Sequence, residues 1–147
     1  MKILHITSEL DGGGIERLLY NYSLFISKDF IFDYAICSDT KGILEDKVTE
    51  RGSAIYHYPK IRTGIIRTVR VLKRIIREGN YDIVQVHADY RSCVALFAAF
   101  LAGAKIRIAH SHTFNEPETK ITRFKRRIIT QITKFFATAL FACGSDA

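Results

Sequence analysis

The sequence predicts an α/β domain: a Rossmann-like parallel sheet with helices on both faces. Three observations carry this. Short apolar, β-branched runs alternate with amphipathic stretches along all 147 residues, the pattern of a doubly wound sheet. The opening unit, Met1 to Tyr22, reads as a strand, a glycine-ended polar turn and a helix. Polar clusters then fall at the carboxyl ends of three strands, where open α/β sheets bind ligands.

The elements follow in order. Lys2 to Thr7 is a buried strand by its apolar, β-branched composition. Ser8 to Gly14 is a polar turn. Ile15 to Phe25 is a helix with Ile15, Leu18, Leu19, Tyr22 and Phe25 on one face. Phe30 to Ser38 is the second strand and Asp39 to Gly42 a turn. Ile43 to Arg51 is a short helix closed by Gly52. Ala54 to Tyr58 is a strand stopped by Pro59. Gly64 to Arg77 is an amphipathic helix with Ile65, Val69, Leu72 and Ile76 inward. Asp82 to His87 is a strand, and Ser92 to Ala102 an Ala-rich helix closed by Gly103. Lys105 to Ala109 is the fifth strand, followed by His110-Ser111-His112-Thr113. Ile121 to Ala137 is a basic helix and Ala139 to Cys143 the sixth strand.

Composition bounds the function. Apolar content of 48% and charged content of 25% are those of a water-soluble globular domain, long enough for one real core. There is no run of 18 apolar residues to span a membrane, and no basic-then-apolar leader. Three distant cysteines, Cys37, Cys93 and Cys143, read as reduced core thiols. The net charge of +7 sits in two segments: His57 to Glu78 and Thr119 to Thr138 each carry +6, and the remainder is acidic. Such faces attract anionic partners. An anionic membrane surface suits them, each Lys or Arg near it being worth about 1 kcal/mol. The apolar stripe of the second basic helix is read as core. Nucleic acid is disfavoured, because no aromatic-basic motif or recognition module accompanies the charge.

The candidate site residues lie on the strand ends. Gly12-Gly13-Gly14 is neither G-x-G-x-x-G nor a P-loop. It suits either a bare tight turn or close backbone approach by an anion, with Gly13 and Gly14 offering amides at a helix start. Glu16 in the first helical turn stabilises the helix dipole or touches a ligand. His87 ends the fourth strand, and Tyr90 and Arg91 after it offer a stacking face and an anion partner, against an ordinary turn capped by Asp89. His112, with the hydroxyl of Thr113 beside it, can donate to a phosphate or sugar, serve as acid or base, or simply cap a loop. A metal is disfavoured, because no third histidine or carboxylate stands at ligand spacing to His110 and His112. No nucleophile elbow, reactive-cysteine setting or carboxylate pair appears.

These motifs resemble a known family. MKILHITSELDGGGIERLLYNYS is similar to the opening of bacterial family 4 retaining glycosyltransferases of glycosyltransferase B fold, including enzymes of capsular and exopolysaccharide synthesis. The strand DIVQVH ending at His87, the segment RIAHSHT from Arg107 to Thr113, and the final ACGSDA also look like that family. The resemblance implies that residues 1–147 are a single acceptor-side, N-terminal domain, with the nucleotide-sugar domain missing after the sixth strand. It implies that Gly13 and Gly14 meet phosphate, that a residue matching His112 contacts the donor sugar and is the catalytic one, and that no cofactor or metal is needed. The partners implied are a nucleotide-sugar donor and a glycan or lipid-linked acceptor. The location implied is the cytoplasm, peripheral at the inner face of the cell membrane. The alternative is a non-catalytic Rossmann-like module holding an anionic ligand or membrane lipid.

Overall fold

The computed structural model describes residues 1–27, 29–88, 92–112 and 119–144. Six parallel strands form one sheet: β1 (Lys2–Thr7), β2 (Ile31–Ile36), β3 (Ile55–His57), β4 (Ile83–Val86), β5 (Ile106–Ser111) and β6 (Ala139–Ala142). They alternate with α1 (Gly14–Phe25), α2 (Glu45–Thr49), α3 (Ile65–Gly79), α4 (Cys93–Ala102) and α5 (Lys120–Phe136). The expected fold class is the one found.

The strand order is β3-β2-β1-β4-β5-β6. The chain lays its first three strands outward from β1, then crosses back and builds the other half from β4. The switch point, where such sheets bind ligands, lies between the carboxyl ends of β1 and β4. Ile6 stands opposite Val86 there, and the His87 amide donates to the Ile6 carbonyl at 2.8 Å.

Alternation along the strands divides the core in two. Leu4, Ile6, Val84, Val86 and Ala109 turn to one face and meet Leu72 and Ile76 of α3 and Leu96 and Ala99 of α4. Ile3, Phe32, Tyr34 and Ile36 turn to the other and meet Leu19 of α1, Leu44 just before α2 and Val48 within it. Each fully buried leucine in these layers is worth about 1.5–3 kcal/mol over an exposed one.

Three helix faces differ from those read in the sequence. On α1, Leu19 and Glu16 are buried, whereas Phe25 is 87% exposed and Tyr22 is 55% exposed. The helix is turned so that its start, not its end, lies against the sheet. On α3, Thr68 and Ile75 join Leu72 and Ile76 inside, and Ile65 stays outside. On α5 the expected core stripe is mostly outside: Phe124, Ile128, Ile132 and Phe135 are exposed. Thr133 is buried instead, and Phe136 packs on Phe97 and Phe100 with ring centroids 5.1 and 5.6 Å apart. α5 therefore carries an apolar stripe that the described residues leave uncovered. Helix α2 is shorter than expected, because Gly42 to Leu44 are tied down. Leu44 N–H donates to the Leu10 carbonyl, and Gly42 N–H donates to the Glu45 carboxylate.

Candidate functional site

The loop of residues 8–13 leaves β1 and enters α1 through the glycine triplet. Gly12 sits at φ +91°, a left-handed conformation that a side chain would strain. Gly13 is the N-cap and gives α1 no side-chain cap, so no capping side chain occupies the first amides of the helix. Arg17 stiffens the loop: its Nε donates to the Gly12 carbonyl at 2.8 Å. A Cβ built on Gly13 would lie 2.5 Å from a Glu16 carboxylate oxygen, whereas one on Gly14 would meet nothing within 4 Å. Glu16 is thus packed over Gly13 with its side chain turned in, and Gly14 is the open position of the triplet.

The histidines are joined by the sheet. Register sets His5 opposite Gln85, and Val86 opposite Ala109. Side chains two apart on one strand share a face, so His5, Gln85, His87, His110 and His112 project to the same side. His5 Nδ1 lies 3.2 Å from His87 Nε2, and His87 Nδ1 lies 2.9 Å from His112 Nε2. His112 Nδ1 in turn lies 2.9 Å from Cys143 Sγ. Each neutral imidazole has one donor and one acceptor, so the row runs in one of two directions: every Nδ1 protonated, or every Nε2 protonated. Gln85 Nε2 meets His110 Nδ1 at 2.9 Å.

Burial fixes the charge state of the inner pair. His5 is held down to about 3, first by burial and then by His110. His87 is held down to about 2, first by burial and then by His5, His112 and His110. Both are neutral at physiological pH. An unfolded histidine gains a proton below about 6.5, and folded His5 does not until about 3. Stability is therefore complete above 6.5 and falls as pH drops, by about 1.4 kcal/mol per unit for each such group. His5→Asn keeps an amide against His87 and removes one of these groups. Urea unfolding between pH 6 and pH 4 should show a shallower pH dependence for the variant, by about that amount per unit. Parallel curves would refute the assignment.

Of the residues singled out in the sequence, His87 and His112 come into direct contact. Gly13, at the end of the glycine loop, and Gly14 and Glu16, in the first turn of α1, stand at the same carboxyl edge. Tyr90, Arg91 and Thr113, with the Asp89 cap, lie outside the described residues. His5 and Gln85 were missed, since nothing near them in the chain marks them. The signal was the period of two on adjacent strands. Cys143 is not a core thiol but exposed, while Cys37 and Cys93 are half-buried. The third histidine that linear spacing lacks is supplied in space: one ligand nitrogen each from His87, His110 and His112 can be chosen with all three within 4.8 Å of one another.

The sequence profile of Glycosyltransferase Family 4 matches residues 12–146. The chain belongs to this family. The family 4 domain is 28% identical to EpsF of Bacillus subtilis, designated a glycosyltransferase, over 99% of the chain and 39% of EpsF. It is 25% identical to the capsular polysaccharide biosynthesis glycosyltransferase CapH of Staphylococcus aureus, over the whole chain and 41% of CapH. The chain thus spans about two fifths of the length of these relatives. Its fold is shared with MurG of Acinetobacter baumannii (TM-score 0.65, 14% identity, 98% of this chain and 41% of MurG). It is shared equally with Anabaena HepE, solved with UDP (TM-score 0.67, 18% identity, 95% of this chain and 37% of HepE).

Proposed function

We propose that this family 4 domain is the acceptor-side, N-terminal half of a retaining glycosyltransferase. The complete enzyme moves a sugar from a nucleotide donor to a polysaccharide or lipid-linked glycan. The observation that carries the reading is the meeting of His87 and His112 at the sheet edge that also bears the glycine loop. Amides of Gly13 and Gly14 face phosphate. His112 orients the donor sugar and stabilises charge as the glycosidic bond changes partners. His87, neutral and buried, holds the His112 ring in place. The UDP carried by HepE supports a uridine-diphosphate donor class. The donor half lies in the part of the relatives that this chain does not span. The test is release of UDP from a panel of UDP-sugars with membrane-extracted acceptor. The protein extended to the length of its relatives should turn over, and the 147-residue chain alone should not. Failure of the extended protein on every donor and acceptor pair would refute the reading.

The acceptor class places the enzyme at a membrane, and the basic helices suit that position. Among the described residues no helix is long and apolar enough to cross one. On α3, Arg70, Lys73, Arg74 and Arg77 line a shallow surface groove with Glu78. On α5, exposed Lys120, Arg123, Lys125 and Arg127 flank exposed Phe124 and Ile128. Binding to anionic vesicles should weaken steeply with salt, since such attraction is screened within about 8 Å at physiological ionic strength. Changing Arg123, Lys125 and Arg127 together to Gln should abolish co-sedimentation. Equal binding to neutral vesicles, or by the variant, would reduce these cations to a solvated face.

A further inference from the structure

We propose that His110, His112 and Cys143 form a binding site for a divalent transition-metal ion of the Zn²⁺ class. Pairing of β5 with β6 sets Ser111 opposite Ala142, so His112 and Cys143 leave the two strands side by side. The Cys143 amide donates to the Ser111 carbonyl at 3.2 Å, which fixes the two strand ends together. Cys143 Sγ lies 2.9 Å from His112 Nδ1 and 3.6 Å from His110 Nε2. Zinc bonds of about 2.3 Å to sulfur and about 2.0–2.1 Å to nitrogen, at a tetrahedral angle, set sulfur and nitrogen about 3.5 Å apart. One pair already has that spacing, and the other reaches it by opening about 0.6 Å, a small shift for an exposed thiol at a strand end.

The second argument is what stands behind the ligands. A metal-bound imidazole needs its other nitrogen held by a partner that fixes tautomer and ring orientation. Both rings have one. His110 Nδ1 is met by the Gln85 amide at 2.9 Å, and turning the amide over lets its oxygen accept the N–H. His112 Nε2 is met by His87 Nδ1 at 2.9 Å, and His87 by His5. An ion on His112 Nδ1 selects the direction in which every Nε2 is protonated. His87 is thereby a support rather than a ligand, because the nitrogen it turns toward His112 accepts that proton.

The donor set is two imidazoles and one thiolate, borderline-soft, which suits Zn²⁺ or Co²⁺ and not Mg²⁺ or Ca²⁺. A blue-copper centre would want an axial methionine, and the only methionine is Met1, at the opposite end of β1. Three ligands from the described residues complete three of four tetrahedral positions, and the half-exposed setting gives the ion a way in. Binding replaces the thiol proton by the ion, and that proton passes to solvent. The site does not rest on the transferase reading, since it needs no substrate. Where His112 also contacts a sugar, ion and sugar compete for one imidazole.

The test is titration of the metal-free 147-residue chain with Co²⁺ alone, followed by Zn²⁺. The expected result is tetrahedral cobalt absorption with a sulfur-to-cobalt charge-transfer band, saturating at one equivalent and displaced by Zn²⁺. Cys143→Ser should remove the charge-transfer band, whereas Cys37→Ser and Cys93→Ser should keep it. Gln85→Leu should weaken affinity roughly 10–100-fold without removing the band. Circular dichroism confirms that each variant is folded. A wild-type chain with no sulfur-to-cobalt band, a band that survives Cys143→Ser, or Gln85→Leu binding as wild type would overturn the proposal.

Discussion

Gly14→Val should abolish sugar transfer by the full-length protein while leaving the α/β domain folded. The two parts of the expectation rest on the same geometry. A Cβ at Gly14 meets nothing within 4 Å apart from its chain neighbours and the backbone of its own helix, so the added carbon strikes no other part of the fold. It sits at the first position of α1, where the helix interior does not constrain it. Stability should therefore change by no more than about 0.5 kcal/mol. Under the proposed function, the space it fills is the one through which a phosphate would reach the first amides of the helix. Displacing a reacting group by about 1 Å costs roughly 100-fold in rate, and a branched side chain displaces it further. Gly13→Val is the poorer probe, because its Cβ would strike the Glu16 carboxylate and disturb the loop for a structural reason. Thermal unfolding and initial rates, measured on the same preparation, decide the matter. A folded Gly14→Val enzyme with wild-type turnover would make the glycine triplet only a turn.

His112→Ala should lower kcat roughly 100–1,000-fold, the loss seen when one donor to a developing charge is removed, with little change in acceptor KM. The split identifies the role. Losing a group that binds ground state and transition state alike raises KM and leaves kcat, whereas losing one that acts on developing charge lowers kcat. The structure adds a companion. His87 meets His112 Nε2 at 2.9 Å and is nearly buried, so His87→Asn, which keeps a hydrogen-bonding side chain on that strand end, should retain more turnover than His112→Ala. Loss of kcat and affinity together in His112→Ala, or no loss, would return this histidine to a loop cap.

Five of the six strands were legible as short runs with β-branched residues, and β6, ALFA, as an apolar run alone. Lys2 to Thr7 was read with the bounds it has. Helix orientation was less legible. Phe25 and Phe135 satisfied the helical period yet lie outside, because periodicity says which residues share a face and not whether that face is covered. The burial of Glu16 had no sequence signal: its carboxylate packs over Gly13, which has no side chain to exclude it. At the site, strand ends pointed to His87 and His112 singly. Their contact, and the rows through His5 and to Cys143, depend on β1, β4, β5 and β6 lying side by side, which chain order does not state. Chain spacing hides the grouping of His87, His110 and His112 for the same reason: His87 and His110 are neighbours across a strand pair, not along one.

The order of the sheet also sets a timetable for making it. β1 is the central strand, bonded to β2 on one side and to β4 on the other. It leaves the ribosome first, yet Ile3 finds its partner Ile83 only about 80 residues later. At about 5–20 residues per second, that is a wait of roughly 4–16 s. For that interval the nascent β-α-β2-β3 half has an apolar strand with one open ladder, the feature that templates wrong pairings. Codon pauses placed before residue 83 should lengthen this interval and raise aggregation during synthesis, whereas pauses placed after β4 has emerged should not.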